Sequence, residues 1–253
     1  MRRMRHLKPR EIQGCDIAYD FSNATTLYDA TTGGNLVAAD GAIARAEDIS
    51  GNGNHMTQAV SGYRPLRKVA SQNGLDSALF DGSNDVLSAG DVADMLDKPV
   101  HIFSVHKWSS GANTALLNKA SYVSEPRWGL LILAGDIYAV LQTNAHYGIT
   151  TPATDASSHT TLEQYSAIGK REVGSSAAVL LRRRSYQQWA SNTVTENRTS
   201  HNTALNTRIG INDGASYYYG GYVCETAKYS AELNDAQIKR IEGSSMRKWR
   251  ING

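Results

Sequence analysis

Two segments rich in Asn, Asp, Gly and Ser constrain the fold of this chain most strongly. They are Asp48–His55, with the sequence DISGNGNH, and Phe80–Leu87, with the sequence FDGSNDVL. Gly and Asn tolerate positive φ angles, and Asn, Asp and Ser side chains bond to nearby backbone. Both segments therefore predict tight, self-bonded connections between β-strands. We expect the second to close a hairpin between strands at Ala78–Phe80 and Val86–Leu87, and His55 to pack within the first.

Short runs that favour β-strands recur along most of the chain. The clearest is His101–Trp108, which places Ile102 and His106 on one face and Phe103 on the other. Strands at such short intervals, without helices between them, are typical of an antiparallel sandwich and argue against a doubly wound α/β enzyme. A turn at residues 134–136 is predicted to close a hairpin. Further strands are predicted at Cys15–Phe21, His55–Val60, Ala115–Lys119, Gly129–Leu133, Ile137–Gln142, Tyr165–Lys170, Ala177–Arg182, Thr207–Ile211 and Tyr222–Tyr229.

The C-terminal part has a helical pattern instead. Asn234 followed three residues later by Gln237 is a variant of the capping box that begins helices. We therefore predict a short helix over residues 234–249 that packs on the sandwich. Its apolar residues fall on or near one face: Ile238, Ile241, Met246 and Trp249.

Composition favours one globular domain. The chain has 253 residues, 41% of them hydrophobic, and sandwiches of about 200–250 residues commonly form one unit. Its 26 basic and 24 acidic residues leave a net charge of +2, so no global field favours nucleic acid as a partner. No apolar run approaches the roughly 18 residues of a membrane-spanning helix, so we expect no membrane contact.

Basic residues crowd into the N-terminal segment, residues 1–14. No apolar stretch follows them, so we do not expect a secretory signal. The segment is either a solvated terminus or an attachment arm that binds an acidic protein surface or packaged nucleic acid through its charges. The basic residues of this arm are Arg2, Arg3, Arg5, Lys8 and Arg10.

The two cysteines, Cys15 and Cys224, lie near opposite ends of the chain. If the first and last strands are neighbours, as in many jelly rolls, a disulfide between them would close a long loop and stabilise the fold. The alternative is two buried thiols in a protein made in a reducing cytoplasm.

The order of several short motifs adds a family resemblance. Tyr19-Asp20, Asp48–His55, Arg64-Pro65, Asn73-Gly74 and Phe80–Asp85 follow one another, and the last strand and C-terminal helix complete the series. In this order they resemble the concanavalin A-like lectin/glucanase superfamily, in particular the laminin-G-like jelly rolls of bacteriophage virion proteins. One difference is Ala46, where that family often has an aromatic residue.

The resemblance implies an all-β fold, a two-sheet antiparallel jelly-roll sandwich with a short C-terminal helix. The predicted domain covers residues 15–253 and follows the basic arm of residues 1–14. Related sandwiches often bind calcium at a rim, and hard oxygen donors are available here, so calcium is left open although no metal residues are assigned. These donors are Asp48, Asp81, Asn84 and Asp85.

Catalytic motifs are missing from the sequence. A glycosidase on this fold would need two carboxylates that flank a glycosidic bond, but the chain has no Glu-x-Asp-x-x-Glu segment. Its seven histidines form no His-x-x-x-His or His-Glu-x-x-His set, and no serine lies in a Gly-x-Ser-x-Gly elbow. We therefore predict that the protein is not an enzyme.

Three functions are weighed. The first is a structural phage virion protein, in the capsid decoration or the tail or fibre, which binds other virion proteins, is oligomeric on the particle and is assembled in the host cytoplasm. The second is a lectin that binds host-surface glycans, and the third is a polysaccharide-degrading enzyme. Exposed aromatic residues would serve as glycan or protein contacts. The candidates are Trp189, Tyr217, Tyr218 and Tyr219.

Overall fold

The structure is a computed structural model that describes residues 8–94, 99–110, 114–119, 127–133, 136–143, 146–150, 161–172, 176–183, 187–195, 204–212 and 217–251. Strands make up most of this part. They are β1 Cys15–Asp20, β2 Leu27–Tyr28, β3 Arg45–Ala46, β4 Met56–Thr57, β5 Leu66–Gln72, β6 Leu75–Asp81, β7 Leu87–Ser88, β8 Val100–Ser110, β9 Thr114–Lys119, β10 Arg127–Leu133, β11 Asp136–Thr143, β12 His146–Thr150, β13 Glu163–Glu172, β14 Ser176–Arg183, β15 Gln187–Thr195, β16 Thr207–Ile209, β17 Ile211–Asn212, β18 Tyr217–Tyr218 and β19 Gly220–Tyr229. One α-helix, α1 Asp235–Trp249, follows them.

The strands form two large antiparallel sheets. The first has the order β15-β14-β13-β8-β19-β6-β5, and β1 also pairs with β19. The second has the order β12-β11-β10-β9-β16-β7-β4-β3-β2, and a small ribbon joins β17 to β18. The predicted all-β antiparallel sandwich with a C-terminal helix is therefore confirmed. The hairpin predicted at residues 134–136 is confirmed too, because β10 and β11 pair from Leu133 and Asp136 onward.

Two apolar cores lie on opposite faces of the first sheet. The main core fills the space between the sheets and contains Ile102, Phe80 and Leu117. A second core, with Phe103 and Val105, lies under the helix. Ile102 and Phe103 thus lie on opposite faces of β8, as predicted from the alternation of His101–Trp108, and both faces of the strand are buried.

The helix begins and ends as the sequence predicts. The Asn234 side chain accepts a hydrogen bond from the Gln237 amide, and the Gln237 side chain accepts one from the Asn234 amide, each at 2.9 Å. Arg250 ends the helix in the left-handed conformation, with φ at 52°. The four predicted apolar residues of the helix are all buried: Ile238, Ile241, Met246 and Trp249. Within the described residues, no helix is long and apolar enough to cross a membrane.

The hairpin predicted around the second turn segment is wrong. Strand β6 belongs to the first sheet and β7 to the second, so the segment carries the chain from one sheet to the other. Strand β7 pairs with β16 and β4, and the Val86 amide donates to the Tyr63 carbonyl at 3.0 Å. A tight Asp/Asn turn between two apolar runs fits a hairpin and a sheet-to-sheet corner equally well, so local sequence does not distinguish them.

The disulfide left open between the cysteines does not form. Strands β1 and β19 are indeed neighbours, but Cys15 pairs with Tyr229, five residues beyond Cys224 on the same strand. At about 3.4 Å per residue the two cysteines lie roughly 17 Å apart along the ladder. Both are free and buried in the second core. Burial raises the pKa of both thiols well above the usual value.

Candidate functional site

The first turn segment directs its polar groups inward. One Asp48 carboxylate oxygen accepts from the amides of Ala18 and Ser50, both at 2.9 Å, and the other accepts from the Ser50 hydroxyl at 2.7 Å and the Asn54 amide at 3.1 Å. His55 Nδ1 accepts from the Asp48 amide at 3.0 Å, so this histidine packs within the loop as predicted. The segment therefore anchors a loop to β1 and offers little chemistry.

The second turn segment is bonded in the same way but carries two carboxylates. Asp81 Oδ1 accepts from the amides of Ser83, Asn84 and Asp85, and Asp85 Oδ2 accepts from the Asp81 amide at 2.9 Å. Burial opposes ionisation of Asp81, but the amide bonds outweigh it and lower its pKa. Burial, together with the Asp81 charge, raises the pKa of Asp85 to about 6.

The four calcium donors offered by the sequence do not form one site. Asp48 bonds within the first loop, whereas Asp81, Asn84 and Asp85 belong to the second. In the part of the chain that the structure describes, no group of three or more His, Cys, Asp or Glu residues could hold a metal ion.

A pair of carboxylates does face each other across β1 and β19. Asp20 is the direct partner of Glu225 in the ladder, and the Lys248 ammonium lies 2.6 Å from Asp20 Oδ1 and 2.9 Å from Glu225 Oε2. Ser245 donates to the other oxygen of Glu225. Burial opposes the charge on Lys248, but the two carboxylates outweigh it and raise the pKa of this lysine.

This arrangement is poorly suited to glycoside hydrolysis. The carboxylates share one ammonium under the helix, whereas a glycosidase holds its pair on either side of a sugar. The adjoining cavity has a volume of about 30 Å³ and is lined in part by Asp20, Glu225, Ser244 and Ser245. That volume admits a water molecule or two and no sugar ring.

The tyrosines predicted as contacts divide into two groups. Tyr219 is fully buried and packs edge-on against Phe80 and His106, with ring centroids 6.1 and 6.4 Å apart. Its predicted role as a contact residue is therefore wrong, because the chain turns it between the sheets as β19 begins. Tyr217 and Tyr218 are half-buried in β18. Trp189 lies in β15, where the structure describes the backbone only.

Tyr217, Tyr218, Tyr222 and the Asp81–Asp85 turn lie at one end of the sandwich, which we call the tyrosine end. The Gly82 amide donates to the Tyr219 carbonyl at 3.2 Å, which holds the turn beside the tyrosines. The Lys107 ammonium lies 5.9 Å from the centre of the half-buried Tyr222 ring. Half-buried rings beside the exposed Asp81 and Ser83 suit a ligand with apolar faces and hydroxyl groups. Sequence reasoning missed Tyr222, although its alternation with the buried Val223 marks it.

The tyrosine end depends on one glycine. Gly221 has a φ of 144° and lies opposite Trp108 in the ladder with β8. A Cβ atom at this position would lie 2.3 Å from the Lys107 carbonyl oxygen. Only glycine therefore allows β8 and β19 to approach this closely below Tyr222.

The N-terminal arm is only partly described. Arg2, Arg3 and Arg5 lie outside the described residues, whereas Lys8 and Arg10 are exposed at a 3-10 turn, Pro9–Glu11. Ile12 is buried in the second core. The segment is therefore fixed to the domain from about Ile12, two residues before the predicted boundary at residue 14.

A second surface, which sequence reasoning missed, follows the edges of both sheets at β2 and β5, and we call it the side wall. The Arg64 guanidinium donates to the carbonyls of Gln58, Ala59 and Asp29 at 2.9, 2.9 and 3.2 Å and so joins its parts. Its large apolar side chains are about half exposed: Leu36 at 50%, Val60 at 52%, Tyr63 at 45% and Val69 at 49%.

Three ion pairs within the chain lie along the side wall. Arg67 bonds to Asp76 at 2.7 Å, and Lys68 to Asp40 at 2.7 Å. The Arg45 guanidinium stacks 4.1 Å above the centre of the Tyr28 ring and pairs with Glu47. The side wall therefore exposes apolar surface beside ion pairs formed within the chain, which suits a protein contact.

Comparison with known proteins supports the fold. No protein-family model and no curated protein matches the sequence. An arabinofuranosidase complexed with arabinofuranosyl-α-1,2-xylobiose is similar in structure, with a TM-score of 0.57 and 13% identity over 94% of this chain and 64% of that one. The present chain thus spans less than two thirds of that protein.

Two other solved structures are similar. Domain 4 of AbnA, a GH43 extracellular arabinanase from Geobacillus stearothermophilus, in complex with arabinotriose, gives a TM-score of 0.54 and 11% identity over 90% of this chain and 98% of that one. The receptor binding domain of botulinum neurotoxin D gives 0.55 and 12% over 92% and 53%. At these identities the similarity shows a shared β-sandwich fold, while the phage origin stays a prediction.

Proposed function

We propose that this protein is a non-enzymatic binding module that serves as a structural component of a phage virion, in the capsid decoration or the tail or fibre. The side wall carries this proposal, because it exposes large apolar side chains beside ion pairs formed within the chain. The motif order that resembles phage jelly rolls supports the virion setting. Two free cysteines accord with assembly in a reducing host cytoplasm.

Substitutions in the side wall test the protein contact. We expect Leu36→Ser with Val60→Ser to lower occupancy on the particle at least about tenfold while the melting temperature changes little, because both side chains are half exposed. Arg240→Ser, on the exposed face of α1, is the control. Occupancy is counted by electron cryomicroscopy of the particles. Unchanged occupancy of the double variant would rule out the side wall.

The basic arm is tested separately, since it would add an electrostatic attachment. Replacing Arg2, Arg3 and Arg5 by Ser should weaken binding to the particle at low salt and leave the folded domain intact. Binding that is equally strong for both proteins at all salt concentrations would remove the arm's role.

Glycan binding is the second candidate function, and the tyrosine end favours it. Half-buried rings at Tyr217, Tyr218 and Tyr222 lie near exposed polar groups of the Asp81–Asp85 turn. A glycan array with and without calcium decides whether the protein binds sugars. If it does, Tyr218→Ala should lose the signal and Tyr63→Ala, in the side wall, should keep it. Loss of the signal in Tyr63→Ala, with the signal kept in Tyr218→Ala, would indicate that the sugar binds at the side wall.

We propose no catalytic activity, since the Asp20 and Glu225 carboxylates share the Lys248 ammonium. The test is incubation with host-surface polysaccharides and analysis of reducing ends. Turnover that is lost in Glu225→Gln, in a variant shown to be folded, would contradict this proposal.

A further inference from the structure

The segment Asp91–Asp94 fills the gap between the sheets at the end opposite the tyrosine end. Four side chains from four different strands hold it, and we call them the dilysine slot. They are Lys119 from β9, Trp128 from β10, Thr207 from β16 and Lys228 from β19.

Lys119 binds the acidic groups of the segment. Its ammonium lies 2.5 Å from Asp91 Oδ1 and 2.6 Å from Asp94 Oδ1, and it also donates to the Val92 carbonyl at 3.2 Å. The Lys119 side chain is only 2% exposed. Both carboxylates that neutralise this buried charge therefore come from the segment.

Lys228 completes the slot from the other sheet. Its ammonium donates to the Asp94 carbonyl at 2.9 Å, to Asp16 Oδ2 at 2.5 Å and to the Ser230 hydroxyl. The side chain is fully buried and lies 5.5 Å from the centre of the Trp128 ring. Burial lowers the pKa of Lys228, and the nearby Lys119 charge adds to this effect against the attraction of Asp16 and Asp94.

Strand side chains also donate hydrogen bonds to the backbone carbonyls of the segment. The Val92 carbonyl accepts from the Thr207 hydroxyl at 2.7 Å, and the Ala93 carbonyl accepts from the Trp128 indole at 3.0 Å. With Lys228 on the Asp94 carbonyl, three successive carbonyls are bound by strand side chains. Side-chain donors that contact successive main-chain carbonyls and two carboxylates are suited to bind a short acidic peptide.

The slot does not depend on the segment for its own shape. Strand β9 pairs with β10 on one side and with β16 on the other, and β19 pairs with β8 and β6. The segment lies outside these ladders, and Ala93 adopts a left-handed φ of 58° that is unfavourable for alanine. If the segment left, these ladders would keep their partners, the buried Lys119 ammonium would lose both of its carboxylates, and Lys228 would lose the Asp94 carbonyl but keep Asp16.

We propose that the dilysine slot is a recognition site for a short acidic peptide with Asp-x-x-Asp spacing, and that Asp91–Asp94 occupies it as an autoinhibitory contact. The proposal is independent of the side wall and the tyrosine end. A partner peptide binds in the slot only if it displaces the attached segment. The effective concentration of this segment is of millimolar order or higher, because it belongs to the same chain.

The probe is a fluorescent peptide with the sequence of residues 90–94, Gly-Asp-Val-Ala-Asp, and binding is followed by anisotropy. We expect Asp91→Asn with Asp94→Asn to bind it at least about tenfold more tightly than the wild type, because the resident carboxylates no longer compete. A control peptide with both Asp replaced by Asn should not bind. Adding Lys119→Met to the double variant should abolish binding. A folded double variant that binds both peptides equally, or neither, overturns the proposal.

A second measurement uses the unmodified protein, in case the double variant does not fold. Native hydrogen exchange should show the amides of Val92, Ala93 and Asp94 exchanging through local opening, about tenfold or more faster than the amides of β19. Exchange of these amides only through global unfolding would show that the segment is a permanent part of the core, and the proposal would be wrong.

Discussion

Two lysines on opposite faces of the first sheet, Lys228 fully buried and Lys248 13% exposed, have pKa values shifted in opposite directions. Lys248, under the helix, contacts two carboxylates, Asp20 and Glu225, and its pKa is raised. Lys228, between the sheets, contacts one carboxylate, Asp16, and burial, with a smaller effect of the nearby Lys119 charge, lowers its pKa. The difference shows that burial alone does not decide the direction in which the pKa of a lysine shifts. The balance between burial and the neighbouring charges decides it.

Removal of the Lys248 charge should have the largest effect. Lys248→Met leaves Asp20 and Glu225 facing each other with no cation, so we expect the free energy of unfolding at pH 7 to fall by about 3–5 kcal/mol. Urea unfolding measures this. Lys239→Met, an exposed lysine on the same helix, is the control and should change stability by less than about 0.5 kcal/mol.

Removal of the Lys228 charge should cost less. Lys228→Met leaves only Asp16 without its cation, and the Asp16 side chain is about a quarter exposed and can be hydrated. The substitution also removes the repulsion between Lys228 and Lys119. We expect a loss of about 1–3 kcal/mol in the same urea experiment. A larger loss than that of Lys248→Met would show that the number of carboxylates left without a cation does not set the loss of stability.

Asp85 is a buried carboxylate that lies beside a like charge, Asp81. Its pKa of about 6 in the folded protein exceeds the ordinary 3.8, so its ionisation destabilises the fold as pH rises from about 4 to 6. Asp85→Asn keeps an acceptor for the Asp81 amide and should stabilise the protein at pH 7 by about 1 kcal/mol. Thermal unfolding at pH 7 and pH 4 checks this, since the gain should vanish at pH 4.

The smallest expected effect is a difference between Lys228 and Lys248 in how stability depends on pH in the alkaline range. The pKa of Lys228 lies below 10.5 in the folded state, so its contribution to stability rises with pH in the window just below 10.5. The pKa of Lys248 lies above 10.5, so its contribution is complete below that pH and falls above it. We measure this by urea unfolding from pH 8 to 11. As pH rises, the free energy of unfolding of the wild type should increase relative to that of Lys228→Met by less than about 1 kcal/mol. It should not increase relative to that of Lys248→Met below pH 10.5.

Local patterns predicted the elements that depend on local chemistry. The Asn234 and Gln237 capping pair begins the helix, and the alternation of His101–Trp108 becomes β8 with both faces buried. The polar turns bond to themselves as their composition indicates.

Features that depend on distant residues were not predictable in this way. Lys228 pairs with Asp16, 212 positions away, and no short window contains both. The second turn segment joins two sheets because of the partners of β7, which local sequence does not specify. Tyr219 is buried because it lies between the sheets, although it is a tyrosine like its half-buried neighbours Tyr217 and Tyr218. The side wall likewise arises where two sheet edges meet.

Strand β19 has a consequence for how the chain folds during synthesis. One of its edges pairs with β8, while its other edge pairs first with β6 and then with β1. Until residue 229 has left the ribosome, the edges of β1, β6 and β8 that β19 later covers have no partner, and exposed strand edges promote aggregation. The first sheet is therefore completed late, when its last strand pairs with its earliest.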